Sequence, residues 1–209
     1  AEKERSVGLG VMGFHSYLQK HSIPLESVMS KVWNKKIFKH IQEHVDQASK
    51  DLADERGACP DAADYGFNER FSNKTAIAPT ASISIICGGA SPGVEPVAAN
   101  SYTHKTLSGS FNVRNRYLVE LLEKHGKNTE EVWSGITTNE GSVSHLDFLT
   151  DLEKDVFKTA FELDQKWIIE LSGDRTPYIS QAQSINLFVP ADIHKRELHK
   201  IHFDAWKKG

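Results

Sequence analysis

The chain has 209 residues, of which 39% are hydrophobic and 25% charged, with a formal net charge of −3 and a pI near 6.4. That size and mix fit one large or two small folded domains with a sizeable core, and they exclude a disordered tail. The slight acidity excludes bulk electrostatic binding to nucleic acid, and no apolar run approaches the roughly 20 residues of a membrane-spanning helix.

The opening AEKERSV is charged, leads into no signal-type apolar core, and reads like the middle of a domain. Gly8-Leu9-Gly10-Val11-Met12-Gly13 matches the GxGxxG pattern of dinucleotide folds. That motif needs a buried strand before it and an acidic residue about 20 positions on. The preceding residues leave no room for the strand, and the region LESVMSKVWNKK offers no acid at a strand end. The glycines are expected to allow close packing where a helix over Met12–Lys20 begins.

Asn34–Glu55 reads as a long amphipathic helix with Ile37, Ile41, Val45, Ala48 and Leu52 on one face. Gly57 stops it. Inside it, His40-Ile41-Gln42-Glu43-His44 matches the inverted zinc-protease pattern. A helix turns about 100° per residue, which sets the histidines beside the apolar stripe and Glu43 away from it. No downstream Glu-rich helix offers a third ligand, so the pair reads as boundary histidines and no metal site is expected.

Residues 58–72 read as loop. Cys59 and Cys87 form no CxxC and no metal spacing, which points to a reducing, cytoplasmic setting. Lys74–Ala78 reads as a short buried strand that Pro79 helps to end. Ser82–Ile86 continues as strand or turns into helix; periodicity does not decide. Gly88-Gly89 and Pro92-Gly93 are breakers. Arg116–His125 is a helix ended by Gly126. Asn128 with Glu131, and Thr150 with Glu153, resemble helix starts. The second opens a helix running through Val156, Phe157, Ala160, Phe161, Trp167, Ile168 and Leu171, with Gly173 ending it. Ser184–Val189 is a strand candidate. Asp192 caps a final helix, whose basic residues are interrupted by Asp192, Glu197 and Asp204 and form a solvated face. Helices alternating with short, isolated strands suggest a parallel sheet or barrel.

The segment with the most chemistry is Ala76–Pro96, and within it Ala78-Pro79-Thr80-Ala81-Ser82-Ile83-Ser84. A probable strand is followed by a Pro-led turn and a cluster of small hydroxylated residues. Small side chains let an anion approach the backbone, and free N–H groups at a helix start point at it. Thr80, Ser82 and Ser84 add uncharged donors. The same pattern also suits a Ser/Thr-rich turn that merely caps a helix, and local pattern leaves both open.

The stretch APTASISIICGGASPGVEP resembles the substrate-phosphate segment of the large, catalytic subunit of class I ribonucleotide reductases. So do RSVGLGVMGFHSYL, KIFKHIQEHVDQASKDLADERGACPDA, SYTHKTLSGSFNVRNRYLVELLEKHG and SGDRTPYISQAQSINLFVPADIHKRELHKIHFDAWKKG, in order along the chain. The resemblance covers essentially all 209 residues. It implies a helix-rich α/β fold, roughly the second half of a ten-stranded α/β barrel, so that residues 1–209 form an incomplete domain. It implies reduction of ribonucleoside diphosphates to deoxyribonucleoside diphosphates by radical chemistry. Pro79, Thr80, Ala81, Ser82 and Ile83 would grip the substrate diphosphate and orient the sugar.

In the family, a finger-loop cysteine between Asn and Glu becomes a thiyl radical, a cysteine pair supplies electrons, and a double tyrosine relays the radical. The chain contains none of these patterns. The resemblance therefore implies no catalytic residue in this chain, structural roles for Cys59 and Cys87, and no activity for the chain alone. It implies an N-terminal portion of the large subunit with allosteric ATP and dNTP sites. It also implies a small subunit with a diiron-tyrosyl radical cofactor, and a thioredoxin or glutaredoxin reductant. The alternative is a non-catalytic module for nucleotide-phosphate binding or assembly.

Overall fold

In a computed structural model that describes residues 1–106 and 109–209, the described residues form nine α-helices, one 3-10 turn and one antiparallel hairpin. The helices are α1 (Phe14–Lys20), α2 (Val28–Arg56), α3 (Pro60–Asp64), α4 (Ala81–Ile86), α5 (Arg116–Lys124), α6 (Glu130–Thr138), α7 (Asp151–Val156), α8 (Gln165–Arg175) and α9 (Lys195–Lys207). The hairpin is β1 (Ser101–Thr106) and β2 (Gly109–Arg114), in register from Ser101 opposite Arg114 to Thr106 opposite Gly109. The sequence reading did not foresee it, and Leu107 and Ser108 of the family-like segment lie outside the described residues.

The parallel pairing expected from the alternating pattern is present, but only as single bridges. Leu9 pairs with Thr75, and Ile77 pairs with Gln183, both parallel. The Leu9 N–H donates to the Lys74 carbonyl and the Ala76 N–H to the Leu9 carbonyl. On the other side the Ser184 N–H donates to the Ile77 carbonyl. Residues 74–77 therefore lie between 7–9 and 181–184, and all three segments end on the same edge. This pairing falls inside the GxGxxG stretch, at Leu9, with only Val7 bonded before it, and both are exposed, so no buried strand precedes the motif. Its glycines serve that pairing: a Cβ at Gly10 would sit 2.7 Å from the Ala76 carbonyl oxygen.

The described residues gather two hydrophobic cores, the second of which takes Ile77 from the middle stretch. One gathers Leu118, Leu122, Trp133, Ile136, Val143 and Phe157 from α5, α6, the segment after α6 and the end of α7. The other gathers Phe14, Leu18, Phe38, Ile77, Val94 and Leu171. Thr150 and Glu153 form the expected capping box for α7, but that helix stops at Val156 and α8 starts only at Gln165. The break delivers Phe157 to the first core and Leu163 to the second, which one straight helix could not do. Asp164 restarts the helix by accepting the Lys166 N–H at 3.0 Å. Gly173 does not end α8; it lies inside it, where a Cβ would come 2.9 Å from the Lys208 Cβ, so its bareness lets the C-terminus of α9 pack close.

Helix α2 starts earlier than expected, because the Ser27 hydroxyl accepts the Ser30 N–H. Its buried positions are Ser30, Asn34, Phe38, Ser49 and Ala53, a face turned roughly 60° from the predicted apolar stripe. Ile37, Ile41, Val45 and Leu52 are half-buried and Ala48 is exposed. Asn34 wins the buried place because it is fully bonded: it donates to the Leu171 carbonyl at 2.8 Å and accepts from Arg175 at 3.0 Å. Elsewhere the expected caps shift by a residue or two: Thr129, not Asn128, caps α6, and His194, not Asp192, caps α9.

Ser184–Val189 is not a strand. Beyond the Ser184 bond to Ile77, side chains take two of its backbone donors: the Asn186 N–H goes to Glu95 at 3.1 Å and the Phe188 N–H to Gln165 at 2.8 Å.

Candidate anion-binding site

The Pro-led segment leaves the common edge of the three parallel stretches. Thr75 and Ile77 are buried beneath it, and Ser180 holds its base by accepting the N–H groups of Lys74 and Thr75, each at 2.9 Å. At Thr80 the backbone turns left-handed, with φ +54°. That is an outlier for a β-branched residue and costs on the order of 1–3 kcal/mol. Such strain persists only where the surroundings enforce it. Here the Thr80 hydroxyl accepts the Gly93 N–H at 2.8 Å, pinning the outgoing limb of the loop to the returning one.

Helix α4 begins at the next residue. Ser82–Ile86, left open between strand and helix by the sequence, is thus helical. Thr80 offers it no side-chain cap, and the first turn-closing bond runs from the Ser84 N–H to the Thr80 carbonyl. The amides of Ala81, Ser82 and Ile83 belong to the first turn, where a helix has no partner of its own. Pro79, Ala81, Ser82 and Ile83 are exposed, and Thr80 is half-buried. The five predicted residues thus lie in one turn, four of them exposed.

The return limb, Ser91 and Gly93–Pro96, is buried and docks on the start of α1. Ser91 and Gly93 carbonyls accept the N–H groups of Gly13 and Phe14, and Ser16 and Ser91 exchange backbone-to-hydroxyl bonds at 2.8 and 3.1 Å. His15 lies beneath, its Nδ1 accepting the Val97 N–H at 3.1 Å. Burial lowers its pKa to about 4, so it is neutral at pH 7. A cavity of about 270 Å³ opens beside α4, lined by Ser84 and Ile85, by Ala90 and Pro92 of the return limb, and by Tyr102.

Other candidates resolve plainly. His40 and His44 are exposed on α2 with ring centroids 4.0 Å apart, and Glu43 faces Lys39 instead. Among the described residues, no group of three or more His, Cys, Asp or Glu side chains gathers as a metal site. Cys59 is buried at the start of α3, while Cys87 is exposed at the end of α4. No helix among the described residues is long and apolar enough to cross a membrane. Glu95 falls within Ala76–Pro96 and Asn186 within the strand candidate Ser184–Val189, yet nothing in the sequence singles out either residue.

A family profile described as "Ribonucleotide reductase, barrel domain" matches residues 1–69 and 61–209. The chain is 50% identical, over its full length, to the ribonucleoside-diphosphate reductase large subunit of Invertebrate iridescent virus 6, covering 22% of that protein. It is 45% identical to the corresponding subunit of Invertebrate iridescent virus 3, covering 33% of it. Its fold superposes on the Actinobacillus ureae class Id ribonucleotide reductase alpha subunit with a TM-score of 0.91 and 40% identity, over 99% of this chain and 38% of that one. The chain thus spans well under half the length of these relatives. Matched from end to end, it belongs to the ribonucleotide reductase barrel-domain family.

Proposed function

We propose that this chain is the part of a ribonucleotide reductase large subunit that grips the substrate diphosphate, through Pro79, Thr80, Ala81, Ser82 and Ile83. The observation that carries this reading is the left-handed Thr80 followed by a helix start with no side-chain cap on an exposed edge. Backbone donors arranged in a turn hold an anion by geometry, with the partial positive charge of the helix start behind them. They need no lysine or arginine, and release is correspondingly easy.

The complete subunit would form a ten-stranded barrel and reduce ribonucleoside diphosphates by radical chemistry in the reducing cytoplasm. Its radical would come from a small subunit with a diiron-tyrosyl centre, and its electrons from a thioredoxin or glutaredoxin. This segment contributes orientation, placing the sugar for groups that other segments carry. These 209 residues alone reduce nothing; nucleotide turnover by them, with small subunit and dithiol present, would overturn that.

The experiment for the loop is Ser82→Pro in the complete large subunit. Proline is tolerated in the first turn of a helix and removes one N–H. The diphosphate KM should rise about tenfold, the loss of one hydrogen bond to a charged group. Thr80→Pro is a poorer probe, because proline cannot adopt φ +54°. An unchanged KM in Ser82→Pro would remove the assignment.

A further inference from the structure

Helix α4 is barely packed. Of its six residues only Ser84 is buried, and the cavity beside Ser84 and Ile85 leaves that side open. The core therefore does not fix where the exposed amides point. Two polar ties do. The first is the Gly93 N–H on the Thr80 hydroxyl, inside the loop. The second crosses from the loop to a neighbouring segment: Glu95 Oε1 accepts both the Asn186 backbone N–H at 3.1 Å and the Asn186 Nδ2 at 2.8 Å.

Asn186 lies three residues beyond Gln183, which bridges Ile77 of the middle stretch. That stretch runs straight into Pro79. Glu95 thus binds the returning limb to the segment flanking the outgoing limb, and closes the loop at its base. Glu95 is only 5% exposed, and among the described residues no lysine, arginine or histidine forms an ion pair with it. A carboxylate held from water without a cation is a costly way to shape a turn. What it provides is two charge-assisted bonds to one residue, which fix direction as well as distance.

We propose that Glu95 and Asn186 are a positioning pair that aims the amides of Ala81, Ser82 and Ile83 at the substrate diphosphate. This rests on the reading of that loop given above. Neither residue touches the reacting atoms. Their effect falls on KM more than on kcat.

The test uses the complete large subunit with its small subunit and a dithiol, and measures KM and kcat for a ribonucleoside diphosphate. Glu95→Ala and Asn186→Ala should each raise KM about tenfold, as expected for lost hydrogen bonds to a charged group, with kcat at saturation moved less. The double variant should cost no more than the worse single, because both remove one interaction. Glu95→Gln keeps an acceptor for both Asn186 donors and should recover most of the loss. If Glu95→Ala does not fold, Asn186→Ala carries the test, since that side chain is exposed. Ser82→Pro run alongside separates the two ideas. If it raises KM while Glu95→Ala and Asn186→Ala leave KM unchanged, the loop stands and the pair falls. Additive costs in the double variant, or lower thermal stability with an unaltered KM, overturn the pair as well. If Ser82→Pro itself leaves KM unmoved, the loop reading fails first.

Discussion

Gly93→Ala and Gly89→Ala form a matched experiment on the loop. Both glycines have left-handed backbones, with φ +47° and +71°. Each alanine therefore carries the left-handed cost of roughly 1–2 kcal/mol. They differ in what the new methyl meets. At Gly89 nothing lies within 4 Å. At Gly93 it would stand 2.8 Å from the Ala78 carbonyl oxygen and 3.2 Å from that of Pro79. Both are backbone atoms and cannot swing aside, so an overpacking cost of about 1–3 kcal/mol adds to the first. Moving the limbs apart also stretches the Gly93 to Thr80 bond. Hydrogen exchange over residues 78–96 in the complete subunit reads the local opening free energy. Gly93→Ala should exchange roughly five- to 150-fold faster than Gly89→Ala, which is that extra cost as a ratio. Equal protection in the two variants would show that the limbs are not held in contact, and the rigid-loop argument would fail.

The remaining predictions are simpler. His15 titrates near 6.5 unfolded and about 4 folded, so the unfolded chain takes up the proton first as pH falls. Its neutral, buried form contributes fully above pH 6.5, and roughly 3 kcal/mol is lost between 6.5 and 4. His15→Asn keeps an acceptor for Val97 and should show a smaller loss of denaturation midpoint between pH 7 and 4.5; identical losses would refute the assignment. Leu122→Ala, at a fully buried site, should cost about 2–5 kcal/mol in urea unfolding, whereas exposed Leu198→Ala should stay within roughly 0.5. A maleimide reagent should modify Cys87 in the native protein and reach Cys59 only on unfolding, which mass spectrometry can follow.

What could be read from the sequence was whatever chain-local chemistry decides. The Thr150–Glu153 capping box, the stop at Gly57 and the Pro-led turn at Pro79–Ile83 all depend on neighbours within a few positions. What could not be read depends on distant partners. The α7–α8 break obeys the demands of two separate cores, and no window around Phe157 contains that information. The buried face of α2 is set by Asn34 meeting Leu171 and Arg175, more than a hundred residues away. Ser184–Val189 has the composition of a strand, yet Glu95 and Gln165 take two of its amides. The Glu95–Asn186 pair is separated by 91 positions, so neither residue stands out in its own segment.

The two cores differ in the length of chain they must gather, and this orders their assembly. The cluster from Leu118 to Phe157 draws on one continuous stretch, so its contacts close only short loops. The cluster from Phe14 to Leu171 joins ends separated by most of the chain, and it cannot form until a long excursion has been brought back. The turn at Pro79–Ile83 hangs from this second cluster through Ile77 and Val94. It is therefore expected to assemble late, after the contacts of the α5–α7 unit. Partial opening from the native state should run in reverse, loosening the Pro79–Ile83 turn while the α5–α7 block keeps its protection.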